Sequence, residues 1–123
     1  AALPAMQIAA AQEALRIIRT EPELRTRLWA NVRRLREGLQ GLGFDTMGSA
    51  TPIVPVLIGD EETTIRFWRG LWDAGAFTTP AIPPSVPTGA SIIRTSVNAN
   101  HTDEQLDTLI AAFDRVGRAL GLL

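Results

Sequence analysis

The stretch Ile82-Pro83-Pro84-Ser85-Val86-Pro87-Thr88-Gly89, running on through Ser91-Ile92-Ile93-Arg94-Thr95-Ser96-Val97 to His101-Thr102, decides how this chain is read. Three prolines in five residues fix their own φ and push the residues before them toward extended backbone. The loop is therefore stiff at little further entropic cost. Gly89 permits a turn, and the β-branched run behind it predicts a strand. Alternation along that strand puts Arg94 on one face with Ile92, Ser96 and Asn98, and Ser91, Ile93, Thr95 and Val97 on the other. Thr102-Asp103-Glu104-Gln105 then has the form of a capping box, opening a helix on Leu106, Leu109, Ile110, Phe113, Val116 and Leu120.

Working back from the loop, Ala76 to Thr79 reads as a short strand entering it. Asp60 is a good N-cap for a helix through about Ala74, with Ile65, Trp68, Leu71 and Trp72 as its inner face. Two tryptophans and Phe67 on one helix indicate core or subunit packing rather than a ligand-stacking surface. Before it, Pro52 to Ile58 is a short apolar run ending at Gly59. Its β-branching predicts a buried strand, and its prolines place it at a sheet edge or make Pro52 its first residue. The N-terminal third predicts two helices. The first runs from about Pro4 to Ile18, alanine-rich, with Ile8, Ala11, Leu15 and Ile18 on one face. The second starts at a capping box, Thr20-Glu21-Pro22-Glu23, and follows Leu24, Leu28, Val32, Leu35, Leu39 and Leu42 to about Gly41. The expected architecture is a single α/β domain (a two-layer α+β arrangement), a small, largely antiparallel sheet covered by helices.

Composition narrows the function classes. The chain has 123 residues, 46% hydrophobic and 20% charged, as expected of one soluble domain with a core. It has no cysteine, hence no disulfide, thiolate metal site or cysteine nucleophile. Its formal net charge of −1 gives no general pull toward nucleic acid or anionic membrane. The arginines of the second helix, Arg25, Arg27, Arg33, Arg34 and Arg36, are interleaved with Glu21, Glu23 and Glu37 and read as a solvated face. No apolar run is long enough to span a bilayer and no basic signal region opens the chain, so cytoplasm is the default. The chain starts at Ala1 in what already looks like helix interior, the form of a fragment or a processed chain. All twelve basic residues are arginine. An imine-forming enzyme needs an amine nucleophile, so any such chemistry draws its lysine from elsewhere.

Arg94 is the strongest candidate for chemistry. A guanidinium fixed on a strand matches a carboxylate through two parallel hydrogen bonds, although an exposed strand arginine paired with a nearby Asp or Glu fits the spacing as well. His101, the single histidine, directly precedes a helix cap and is expected to serve local structure. No metal-ligand cluster, phosphate-binding glycine loop or serine-hydrolase elbow is present.

Several of these stretches, taken in order, resemble the C-terminal domain of the α-oxoamine synthases, pyridoxal-phosphate (PLP) enzymes of fold type I. They are Leu3-Pro4-Ala5, Leu42-Gly43-Phe44-Asp45, Thr51 to Val56 with Gly59-Asp60, Pro83 to Gly89, Ile93 to Ser96, and His101-Thr102. The resemblance covers essentially the whole chain. It implies that Arg94 binds the α-carboxylate of an amino acid held on the cofactor, and that Ser85 belongs to a loop lining the substrate channel. It further implies decarboxylative condensation of that amino acid with an acyl thioester, on CoA or on an acyl carrier protein. The imine lysine, the ring-stacking histidine and the aspartate facing the pyridine nitrogen would belong to a preceding large PLP domain, so this chain alone would be inactive and hold no cofactor covalently. A homodimer is the expected assembly. Two other readings compete: a non-enzymatic module that binds a small carboxylate or pairs with itself, and a domain of a related PLP aminotransferase.

Overall fold

The computed structural model describes residues 4–123; Leu3 of the Leu3-Pro4-Ala5 motif lies outside them. Its elements are α1 (Ala5–Thr20), α2 (Pro22–Leu42), β1 (Ile53–Gly59), α3 (Glu61–Asp73), β2 (Thr79–Ala81), β3 (Ser91–Ser96) and α4 (Asp103–Ala119). The strands form one antiparallel sheet in the order β1-β3-β2, so the last strand in sequence is the central one. Fold class and layering agree with the sequence expectation.

Burial follows the pleat. Val54 and Val56 of β1, with Ser91, Ile93 and Thr95 of β3, turn one face inward, while Arg94 and Ser96 are exposed on the other. Helices α2, α3 and α4 cover the inner face. Val32, Leu35 and Leu39 come from α2, Phe67 and Leu71 from α3, and Leu106, Phe113 and Val116 from α4. At the centre Phe44, Phe67 and Phe113 contact one another pairwise with ring centroids 5.4–5.7 Å apart, a spacing that favours edge contacts between rings. Phe44 reaches this cluster because α2 ends sharply. Gly43 adopts φ 104°, and the Phe44 N–H donates back to Leu39 O at 3.1 Å. A left-handed residue closes a helix this way, and glycine has no Cβ to oppose it.

Both edges of the sheet are closed to further strands. The Val97 N–H donates to Pro52 O, whereas the Leu57 N–H points outward to Asp45 O. Odd-numbered residues of β1 therefore face the free edge, and Pro55 is one of them. On β2, Thr79 and Ala81 pair with Arg94 and Ile92, leaving Pro80 outward. Each edge strand thus lacks an N–H at an outward position, which blunts strand addition.

The helix starts differ from one another. Asp60 caps α3 by accepting from the Thr63 N–H, and Thr102 with Gln105 forms the full reciprocal box of α4. The box expected at Thr20–Glu23 does not form. Thr20 stays helical, its hydroxyl bonded to Arg16 O, and Glu21 takes the N-cap position with Pro22 behind it. The α1 ladder runs on through the Glu21 N–H to Ile17 O, which denies Thr20 the extended backbone a cap needs.

Two further expectations are corrected. The buried face of α3 is Thr64, Phe67 and Leu71; Ile65 and Trp72 are exposed and Trp68 is half-buried. The core selected Phe67 because its ring completes the phenylalanine cluster. The tryptophans instead form a second aromatic group with Phe77, which is 75% exposed. β2 also starts later than expected, at Thr79. Residues 76–78 are engaged in finishing α3, with the Ala76 N–H on Leu71 O and Trp68 Nε1 on Thr78 O. No described helix is long and apolar enough to cross a membrane.

Two helical glycines separate packing from propensity. A Cβ on Gly70 would meet Val116 Cγ1 at 2.6 Å, while one on Gly41 would meet nothing within 4 Å. Gly41→Ala is expected to raise stability by about 0.5–1 kcal/mol. Gly70→Ala should lower it by about 1–2 kcal/mol despite the same propensity gain, since a β-branched neighbour in a packed core yields little. Denaturant midpoints of the two variants check the opposite signs.

Candidate functional site

β3 is paired on both sides, and Arg94 sits at the point where both pairings meet. Its register partners are Pro55 on β1 and Thr79 on β2. The pairing with Pro55 is of the non-hydrogen-bonded kind, in which Cα atoms approach to about 4.5 Å and side chains on one face crowd together. The face around Arg94 is formed by Ile53, Pro55, Leu57, Ile92, Ser96 and Thr79, largely apolar with hydroxyls beside the arginine. The alternative of an acid-paired Arg94 is not met. Among the described residues the ion pairs are Arg16–Glu13, Arg34 with Asp103 and Asp107, Arg69–Asp73 and Arg118–Asp114. Arg94 stands outside all of them.

Magnitudes decide what this arrangement can do alone. Opposite unit charges 4 Å apart attract by ~1 kcal/mol in water and by ~4 kcal/mol at an effective dielectric of 20. Arg94 is exposed on an open sheet face, and it lines neither the concavity beside Val97 and His101 nor the one between Gly59 and Gly89. As it stands the guanidinium would hold a carboxylate weakly. Covering the face would strengthen the attraction and leave the apolar surround to reject a cation.

Ser85 forms no hydrogen bond with Arg94 among the described residues. It lies exposed in the 82–90 loop, its amide donating to Ile82 O at 2.9 Å. The loop leaves β2 beside Ile92 and rejoins β3 at Ser91, about 10 Å along the strand from Arg94 at ~3.3 Å per residue. The loop is braced against the turn after β1. Gly59 has φ 93°, and a Cβ there would lie 3.4 Å from Gly89 O.

His101 has the structural role expected. Its Nδ1 accepts from the Asn98 N–H at 3.3 Å, and its carbonyl accepts from Asn31 Nδ2 at 2.9 Å. The same Asn31 amide donates to Asn98 O at 3.0 Å. Asn31, buried on α2, therefore ties down the turn that joins the Arg94 strand to α4. Sequence reasoning missed it. The available signal was a lone amide on the α2 inner face, three residues after Leu28 and four before Leu35.

Among the described residues no His, Cys, Asp and Glu cluster could hold a metal ion. With no lysine in the chain, none of its side chains can hold PLP as an imine. Asp60 and Asp107 both have carboxyls held below their usual range. For Asp60 the causes are the Thr63 backbone and side-chain hydrogen bonds, and for Asp107 the Arg34 guanidinium. Both are cap or surface groups distant in role from Arg94.

Known proteins give a consistent context. The chain matches the family Aminotransferase class I and II over residues 1–113. It is 42% identical over 123 residues to a serine palmitoyltransferase of Caulobacter vibrioides, covering 100% of this chain and 30% of that protein. It is 39% identical over 121 residues to an 8-amino-7-oxononanoate synthase of Treponema denticola, covering 98% of this chain and 31% of that protein. Among solved structures, SPT with its PLP internal aldimine superposes with a TM-score of 0.93 at 37% identity, covering 100% of this chain and 31% of that one. The chain thus spans about a third of the length of these relatives. It belongs to the aminotransferase class I and II family.

Stability measurements separate the two kinds of residue. Asn31→Ala leaves two carbonyls without their donor and should cost about 2 kcal/mol. Arg94→Met, removing a side chain with no partner here, should stay within about 0.5 kcal/mol of the parent. Thermal or denaturant unfolding of the two variants is the check.

Proposed function

We propose that this member of the aminotransferase class I and II family is the C-terminal substrate-binding domain of a PLP-dependent α-oxoamine synthase. Such an enzyme condenses an amino acid with an acyl thioester and releases the carboxylate as carbon dioxide. The observation that carries the reading is Arg94, an ion-pair-free guanidinium at the doubly paired centre of an open, apolar sheet face. Relatives named serine palmitoyltransferase and 8-amino-7-oxononanoate synthase favour a synthase over a general aminotransferase.

PLP, when bound in the intact enzyme, supplies the electron sink that makes loss of the carboxyl group feasible. The contribution of this chain is orientation. Arg94 offers two parallel N–H donors to the two carboxylate oxygens and so sets the direction of the bond that breaks. The ladder to β1 and β2 limits the freedom of its Cα. Ser85 contributes a hydroxyl on the stiff loop at the edge of the same region, where we place the wall of the substrate channel. The preceding large domain supplies the lysine and covers the Arg94 face, and the chain alone is inactive. The unpartnered apolar residues of α1, such as Ile18 at 69% exposure, are consistent with burial in that assembly, which we read as a cytoplasmic homodimer.

The test uses the full-length protein. Its PLP absorbance is titrated with glycine, alanine and serine, and CoA thiol release is followed on adding an acyl-CoA. One amino acid should shift the spectrum and support thiol release. Arg94→Ala should weaken its binding about 10- to 100-fold, the equivalent of ~1.5–3 kcal/mol for a charge-assisted hydrogen bond. A folded full-length protein that binds no PLP, or transaminates without using the acyl donor, would end the synthase reading.

A further inference from the structure

Arg94 is the last residue of β3 that is held on both sides. Pairing with β2 spans Ile92 to Arg94 and stops there, because the chain before Thr79 is engaged in closing α3. Pairing with β1 continues through Thr95 and Ser96 to the bond from the Val97 N–H to Pro52 O at 3.0 Å. Beyond Arg94 the strand therefore has one neighbour, and Ser96 and Val97 line an open concavity with Phe77 and His101. Neighbouring strands twist against each other by anything from about 10° to 35°, so a strand paired once has room to turn. Asn31 supplies the missing support. It is 7% exposed, on the inner face of α2 beside the fully buried Val32 and Leu35. Its Nδ2 donates to Asn98 O at 3.0 Å and to His101 O at 2.9 Å. Inside the turn the Asn98 N–H donates to His101 Nδ1 at 3.3 Å, and Asn98 Oδ1 accepts from the Asn100 N–H at 2.8 Å. The turn is thus bonded internally, and the Asn31 amide fastens it to a 21-residue helix.

We propose that Asn31 is a positioning residue for Arg94: by fixing where β3 leaves the sheet, it holds the guanidinium at the angle a bound carboxylate requires. The proposal rests on the reading of Arg94 as a carboxylate clamp. Asn31 acts through the strand. Asn98 lies four residues beyond Arg94, ~13 Å along an extended chain. Without the Asn31 donors, water must satisfy the two carbonyls. That draws the turn outward, and the singly paired stretch between Arg94 and Val97 is the part that yields. A rotation of about 10° at the base of an arginine side chain moves its tip by about 1 Å. A shift of that size is costly where two parallel hydrogen bonds must both be met. A neutral ligand group makes no such paired contact, so the effect is confined to ligands that carry the carboxylate.

The test uses the full-length protein loaded with PLP, below the unfolding transition of each variant. Kd values for alanine and alaninamide, and for serine and serinamide, are read from the cofactor spectrum. Hydrogen exchange of the peptide covering residues 91–101 is followed alongside. Asn31→Ala should raise the Kd of the preferred acid about fivefold or more and leave its amide within about twofold. The 91–101 peptide should exchange faster while α3 does not. Asn31→Ser, whose hydroxyl can donate to one carbonyl at a time, should fall between parent and Asn31→Ala. A lower melting temperature with the acid-over-amide preference intact overturns the proposal and leaves Asn31 a purely structural residue. Equal losses for acid and amide also overturn it, since they report a general distortion of the site. Should Asn31→Ala fail to fold, Asn31→Ser decides alone: a reduced acid preference supports the positioning role and the parental preference overturns it. A parent that binds acid and amide equally removes the clamp reading itself, and the positioning role with it.

Discussion

The pairing of β3 on both of its sides is the constraint from which the rest of the structure follows. A strand bonded to two neighbours has its register fixed twice, and a one-residue slip would turn Ile93 and Thr95 outward and Arg94 into the core. Neither exchange is tolerable. The first gives up roughly 1.5–3 kcal/mol of apolar burial at Ile93, and the second buries an unpaired guanidinium at a cost of several kcal/mol. The inner face is therefore held against Phe67, Phe113 and their neighbours, and the outer face is obliged to display Arg94. Pro55 and Pro80 add a second restriction, since each removes an outward N–H and blunts strand addition at its edge.

That topology gives the proposed chemistry its physical form. A carboxylate clamp on an uncovered sheet would compete with water and hold little. The same guanidinium under a low-dielectric cover would be selective and directional. Reading the chain as one part of a shared site accounts for several otherwise separate facts: an arginine with no ion-pair partner, a basic complement without lysine, exposed apolar residues on α1 and α3, and relatives three times as long.

Much of this was legible in the sequence. The pleat of Ser91 to Val97, the Asp60 and Thr102 caps and the inner rows of α2 and α4 were correctly read, because each is a local pattern with one dominant cause. The errors arose where tertiary context outweighed local preference. Thr20 had the composition of a cap, yet the helix before it continued through that residue. Trp68 and Trp72 had the larger side chains, yet the core took Phe67 because the space between Phe44 and Phe113 fits a phenyl ring. Asn31 was overlooked since its partners, Asn98 O and His101 O, are backbone atoms about seventy residues away and leave no sequence signature. The open face around Arg94 was visible only as an alternation, and its lack of an acidic partner required the structure.

The central claim is that Arg94 and a substrate carboxylate recognise each other directly, and a thermodynamic cycle tests it most directly. In the full-length protein, binding of the preferred amino acid and of its carboxamide analogue would be measured with Arg94 intact and with Arg94→Ala. A direct clamp predicts strong coupling: the amide binds at least tenfold more weakly than the acid to the parent, and the two bind about equally to the variant. Equal losses from the amide and from the substitution, adding independently, would contradict it and assign Arg94 to the support of the sheet face rather than to the substrate.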